Sequence, residues 1–242
     1  SPVCQMFHQF FGENMLRPDD CNAVEELGQL LDHTGPVAAS ERNAARIFNA
    51  DHLYFVTNGT STSNKIVWHS TVAPGDIVVV DRNCHKSILH AIMMTGAIPV
   101  FLMPTRNNFG IIGPIPKSEF AWANIQKKIA ANPFITDKNA KPRVLTITQS
   151  TYDGILYNVE DIKEELDGKI DTLHFDEAWL PHAAFHDFYG DYHAIGADRP
   201  RCKESMIFST QSTHKLLAGI SQASQILVQD CENRQLDRDL FN

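Results

Sequence analysis

The most chemically loaded stretch of the chain is Ser209-Thr210-Gln211-Ser212-Thr213-His214-Lys215-Leu216-Leu217-Ala218-Gly219-Ile220-Ser221. A lysine between a histidine and an apolar run, with hydroxyls on both sides, is poorly explained as a solvated surface cation. In apolar surroundings its pKa falls and it forms Schiff bases readily. Asp176 closes the run Thr172-Leu173-His174-Phe175, where a carboxylate is costly unless a donor or cation meets it. It reads either as a capping carboxylate or as the counter-charge of a protonated ring nitrogen. In Asp81-Arg82-Asn83-Cys84-His85-Lys86-Ser87 the histidine opens a helix beside a strand end. A ring-stacking group, a base, a ligand and a purely structural histidine are all open there. Asn58-Gly59-Thr60-Ser61-Thr62-Ser63-Asn64 puts a glycine turn ahead of a hydroxyl-rich helix start. Free N–H groups and the helix dipole suit a phosphate there. The same hydroxyls serve equally well as N-caps, and the spacing is not that of a Walker A loop.

A phosphate cradle, a ring-packing group, a buried carboxylate and an activated lysine are together what pyridoxal 5'-phosphate requires. They must be brought together by the elements that carry them. Residues 53–57, 77–81, 98–103, 143–148, 172–176, 205–209 and 223–228 read as short, near-continuously apolar strands, as expected of strands buried on both faces. Helical patterns fall at 36–49, 85–95, 118–131 and 159–167. The third places Trp122, Ile125 and Ile129 on one face; the fourth has Asn158 as N-cap and Gly168 as terminator. The alternation predicts an α/β domain with a mostly parallel seven-stranded sheet flanked by helices. In such sheets ligands bind beyond the carboxyl ends of the strands, where the four chemical segments lie.

Composition is consistent with this. The 242 residues are 43% apolar and 21% charged, with 21 Lys and Arg against 29 Asp and Glu and a net charge of −8. That excludes disorder, collagen and coiled coil as the main architecture. The spread acidity argues against a nucleic-acid partner, and no apolar stretch approaches the ~18 residues of a membrane span. Cys4, Cys21, Cys84, Cys202 and Cys231 are too widely spaced for a disulfide framework or zinc knuckle. With no signal-peptide pattern at the start, the expected location is cytoplasmic.

Collinear segments then carry a specific resemblance: Phe10-Phe11-Gly12-Glu13-Asn14, Leu31-Asp32-His33-Thr34-Gly35, Val56 to Thr62, Asp81 to Ser87, Pro104 to Asn107 with Gly110 to Gly113, Ser150 to Gly154, His174 to Trp179, and Ser212 to Leu217. The chain resembles the prokaryotic ornithine/lysine/arginine decarboxylases, fold type I pyridoxal-phosphate enzymes, over nearly its whole length. The resemblance implies that Lys215 forms the Schiff base, Asp176 partners the pyridine nitrogen and His85 stacks on the ring. It implies that Trp179 belongs to the surrounding wall, and that Thr60, Ser61, Thr62, Ser212 and His214 are phosphate contacts. It implies decarboxylation of lysine, arginine or ornithine to an amine and CO2, in a homodimer or higher homo-oligomer. Cys4 stands where a glycine is expected. Residues 1–14 are expected to be an N-terminal linker and 15–242 the cofactor-binding large domain, truncated before the C-terminal domain. On their own, the 242 residues are expected to be inactive or nearly so. An aminotransferase would use the same lysine, aspartate and cradle, and a non-catalytic cofactor-binding fragment is a further alternative. A metallohydrolase built on His182 and His186 lacks the H-E-x-x-H glutamate, so no metal site is expected.

Overall fold

Seven strands form one sheet in the order β1-β7-β6-β5-β4-β2-β3. They are β1 (His52–Val56), β2 (Ile77–Asp81), β3 (Ile98–Leu102), β4 (Val144–Thr148), β5 (Thr172–Asp176), β6 (Met206–Ser212) and β7 (Ser224–Gln229). All neighbouring pairs are parallel except the two made by β7, which runs against both β1 and β6. The computed structural model describes residues 1–16, 24–197, 199–217, 219 and 221–241. Cys21 lies outside them, and the four described cysteines are free.

The chain divides into two units, residues 1–40 and 41–242. In the first, α1 (Pro2–Phe11) starts with Pro2 at its first turn and the Ser1 hydroxyl accepting from the Cys4 amide; α2 (Glu13–Leu16) follows. α3 (Gly35–Phe48) runs across the division. The second unit holds the sheet with α4 (Thr60–Thr71), α5 (Lys86–Thr95), α6 (Lys117–Phe120), α7 (Trp122–Ala131), α8 (Val159–Leu166), α9 (Thr213–Leu216) and α10 (Arg238–Phe241).

Alternate strand residues feed opposite faces of the sheet. Val79, Leu145, Leu173, Ile207 and Leu227 pack with Ile125 and Ile129 of α7, and with Val159, Ile162 and Leu166 of α8. Val78, Val80 and Val144 pack with Trp68 of α4, Val72 just after it, and Ile88 and Ala91 of α5. Burial on both faces is why the strands read as unbroken apolar runs.

Two elements differ from the sequence expectation. The helix expected over 118–131 is two helices, because Ala121 is extended (φ −57, ψ 127). The Glu165 carboxylate of α8 accepts from the Trp122 amide at 2.8 Å, so the second helix gets its own start from a residue distant in sequence. β6 runs past 205–209 to Ser212, since Thr210, Gln211 and Ser212 stay in register with Ile226, Gln225 and Ser224. Polar composition disguised this end of the strand as loop. α5 and α8 form as expected, with His85 and Asn158 as side-chain N-caps.

The core holds ionisable residues, among them a histidine. His174, in the middle of β5, is fully buried, and burial pushes its pKa down to about 3. The unfolded chain takes a proton on this histidine below about pH 6.5, whereas the native chain does not until near its depressed value. Stability is therefore lost as pH falls through that window, by up to about 1.4 kcal/mol per pH unit. Burial raises the pKa of Asp81, Asp176 and Glu177, which works in the opposite sense. Those groups remain in both parent and variant, so the difference between the two curves reports on removing the histidine. Urea titrations from pH 7 to pH 4 should show the parent's stability falling more steeply with acid than that of His174→Gln; parallel curves would contradict the assignment.

Candidate active site

The carboxyl ends of β2, β4, β5 and β6 open into a cleft of about 770 Å³. Three helices present their N-termini to it: α4 through Gly59, Thr60 and Ser61, α5 through His85, and α9 through Ser212, His214 and Lys215. The arrangement follows from topology, since a helix that follows a parallel strand starts at that strand's carboxyl end.

Asp176 terminates β5 at the cleft floor and is 3% exposed. Its Oδ2 accepts from the Asn64 amide nitrogen at 2.9 Å and its Oδ1 from the Ala178 N–H at 3.2 Å. Burial pushes its pKa up, while these donors and the nearby His85 and Lys215 favour the ionised form. Its neighbour Glu177 turns the other way, into the core. There it accepts from Ser209 Oγ (2.5 Å), Gln211 Nε2 (2.8 Å) and the Ala194 N–H (2.6 Å). Of the two adjacent carboxylates, only Asp176 faces the cleft.

At the start of α4, Gly59 has φ +76, and its carbonyl accepts from the Thr62 and Ser63 amides. The Thr60 and Ser61 amides have no acceptor among the described residues, as is usual in a first helical turn. Thr60 Oγ1 and Ser212 Oγ are hydrogen-bonded at 2.6 Å, which ties α4 to the end of β6. Thr60, Ser61 and Ser212 therefore line one end of the cleft together. Thr62 does not line it. His214 does, with Nδ1 donating to the Ala223 carbonyl at 2.7 Å and so holding the return into β7.

His85 packs at the cleft with Nδ1 bonded to the Ser87 hydroxyl (2.8 Å). Burial holds its pKa below the usual imidazole value, against the pull of Asp176. Lys215 is half-buried, and its Nζ lies 4.6 Å from the centre of the Trp179 ring. Its environment is thus an aromatic face rather than the apolar enclosure that Leu216 and Leu217 suggested, and Leu216 points to solvent. Tyr152 stands edge-on to Trp179 at 5.3 Å. The sequence did not single out Asn64, Cys84, Arg106, Tyr152 or Gln222, which also line the cleft. For Asn64 a signal existed: Thr60, Ser63, Asn64, Val67 and Trp68 make a buried stripe at helical spacing whose first half is polar. Burial pushes the Cys84 thiol up to about 12, which favours the protonated thiol over the thiolate.

A sheet of this order, with a carboxylate at a central strand end and a lysine after the next strand, defines the fold type I class. An alanine aminotransferase from Pyrococcus furiosus shares the fold at a TM-score of 0.56 and 11% identity, over 94% of this chain and 52% of its own. The profile of the Orn/Lys/Arg decarboxylase major domain matches residues 1–242, and the chain belongs to that family. It is 57% identical over its full length to lysine decarboxylase LdcA of Pseudomonas aeruginosa, covering 32% of that protein. A solved structure of the Pseudomonas enzyme superposes at a TM-score of 0.90 over 100% of this chain and 32% of that one. Identity is 44% to the biodegradative arginine decarboxylase of Escherichia coli K12 over 95% of this chain, covering 31% of that enzyme. It is 39% to the inducible ornithine decarboxylase of the same strain, again over 95% and 31%. The chain therefore spans about a third of the length of these relatives.

The glycine turn is the tightest point of the rim. A Cβ on Gly59 would lie 2.9 Å from Gln222 Nε2, which is held by the Asn58 carbonyl. Gly75 has a similar φ of +85 but open space around it. Gly59→Ala should cost about 1–3 kcal/mol from backbone strain plus the displaced glutamine, more than Gly75→Ala, in denaturant unfolding. Equal losses would mean that Gln222 yields freely.

Proposed function

We propose that this chain is the cofactor-binding part of a pyridoxal-phosphate-dependent decarboxylase of a basic amino acid, with lysine as the preferred substrate. The observation that carries the proposal is the buried Asp176 carboxylate facing the same cleft as Lys215 and the open start of α4. The residues fit the group. Asp176 keeps donors on both oxygens and faces the cleft as a counter-charge for a ring N–H⁺. Thr60, Ser61 and Ser212 offer amides and hydroxyls suited to a phosphate, and His214 adds a ring nitrogen beside them. Trp179 and His85 are the wall groups for an aromatic ring. Identity that falls from 57% with a lysine decarboxylase to 44% and 39% with arginine and ornithine decarboxylases supports lysine.

Bound pyridoxal phosphate would supply the electron sink for the pair left at Cα when the carboxylate leaves as CO2. The chain's own residues do the rest. Lys215 would hold the group at its aldehyde carbon until the substrate's α-amine takes its place. Asp176 holds a proton at the ring nitrogen, which deepens the sink. His85, neutral at physiological pH, packs without adding a competing charge. Replacing the leaving CO2 at Cα consumes one proton per turnover. The shared lysine, aspartate and cradle would serve an aminotransferase as well; family membership favours decarboxylation. A cytoplasmic location and a homo-oligomer belong to the same proposal. Among the described residues no helix is long and apolar enough to cross a membrane.

Amine analysis of the full-length protein, given lysine, arginine and ornithine in turn, tests the proposal. Cadaverine should dominate; agmatine or putrescine as the main product would move the substrate assignment, and a keto acid would replace decarboxylation by transamination. Asp176→Asn should retain cofactor but lose on the order of a hundredfold or more in kcat, since an amide of the same shape cannot hold the ring proton. Near-parental kcat would remove Asp176 from the role.

A further inference from the structure

Beneath the cleft floor a file of buried side chains crosses the sheet. Trp68 Nε1 donates to Thr146 Oγ1 (3.0 Å), Thr146 Oγ1 meets His174 Nδ1 (3.1 Å), and His174 Nε2 meets Thr210 Oγ1 (3.0 Å). Thr210 Oγ1 then donates to Asn64 Oδ1 (2.6 Å), and the Asn64 amide nitrogen reaches both Asp176 Oδ2 (2.9 Å) and Ser87 Oγ (3.0 Å). Ser87 Oγ closes on His85 Nδ1 at 2.8 Å. Every one of these groups except His85 and Asp176 is at most 2% exposed, and Asp176 is 3% exposed.

The donor inventory leaves one arrangement. An ionised carboxylate can only accept, so Asp176 fixes the sense of the links that run back through Asn64 and Thr210 to His174, and the indole N–H, which can only donate, is consistent with it. Thr146 accepts from Trp68 and spends its one hydrogen on His174 Nδ1. His174 therefore carries its proton on Nε2 and gives it to Thr210. Thr210 spends its hydrogen on Asn64 Oδ1, which points both amide hydrogens outward, one to Asp176 and one to Ser87. Ser87 then donates to His85 Nδ1, which places the proton of a neutral His85 on Nε2. With Asp176 ionised, Asn64 must turn its amide nitrogen to the carboxylate and its Oδ1 to Thr210, so reversing the Thr210–Asn64 or His174–Thr210 link sets two lone pairs or two hydrogens face to face, in a place without water to relieve them; the Ser87 N–H, 3.2 Å from His85 Nδ1, separately keeps that nitrogen an acceptor.

We infer that His174 is a positioning residue that acts through Thr210 and Asn64 to hold a donor on Asp176 and to fix the tautomer of His85. Its function in catalysis rests on the decarboxylase reading above, whereas the direction of the chain does not. A neutral imidazole accepts at one end and donates at the other across the gap between two strand hydroxyls; its depressed pKa agrees with that neutral state. The titratable groups that also face Asp176 are His85 from the α5 cap, Lys215 from α9 and Asp81 from the end of β2. None of them touches the links between Trp68 and Asn64.

Two measurements on the full-length, cofactor-free protein test this. Neutron diffraction from deuterated crystals should show deuterium on Nε2 and not Nδ1 of His174, and the Thr210 deuteron directed at Asn64. A deuteron on Nδ1, or on both nitrogens, overturns the inference. Infrared titration with 13C-labelled aspartate should then show Asp176 protonating about one pH unit higher in Thr210→Val, where Asn64 loses its anchor, and near the parental pH in Thr210→Ser. An unchanged titration in a folded Thr210→Val overturns it equally, and if that variant does not fold, the deuteron positions decide alone. Failure of cofactor to attach at Lys215 would defeat the functional reading while leaving both readouts standing.

Discussion

A carboxylate placed at the end of a strand buried on both faces is expensive to keep ionised, and that constraint organises the molecule around Asp176. The charge is tolerable only where donors are held on both oxygens, and the two it has come from different elements: Asn64 from α4 and the Ala178 amide from the turn after β5. Asn64 is in turn bonded to Thr210 of β6 and Ser87 of α5. One charged group thereby pins two helices and two strands into a single register. An apolar residue there would free these contacts to slide. The same charge is what the cleft offers to a cationic ring.

Topology sets the rest of the site around that point. With β5 next to β4 and β6, Asp176 sits at the middle of the sheet's carboxyl edge. The helices after β1 and β2 start at that edge, as does the short helix after β6, so a lysine, a histidine and an open helix N-terminus arrive at one rim from positions up to 155 residues apart. The antiparallel β7 returns the chain alongside β6, and the bond from His214 to the Ala223 carbonyl steadies the segment that bears Lys215.

Much of this was legible in the sequence because each chemical segment directly follows an apolar strand, and ligand sites in parallel sheets lie beyond such ends. Lys215, Asp176, His85, Thr60, Ser61, Ser212 and Trp179 could be picked out from that rule and from the family resemblance, and all of them meet at the cleft. What stayed hidden depends on partners that are far away in sequence. His174 looked like an ordinary strand residue and Thr210 like part of the loop after 205–209, since nothing local says that they touch each other or Asn64. Ala121 breaks a helical pattern that is locally sound, because a carboxylate from α8 rewards a fresh helix start. The end of β6 hid behind polar residues whose burial comes only from pairing with β7. The aromatic seat of Lys215 likewise comes from Trp179, which arrives on a different loop.

On the reading proposed above, Asp176 and Lys215 would hold one pyridoxal phosphate between them. Borohydride reduction of the cofactor-loaded protein, followed by peptide mapping, tests it most directly. A single pyridoxyl group is expected on the peptide carrying Lys215. A label on any other lysine, or no label in a folded, cofactor-saturated sample, would contradict it.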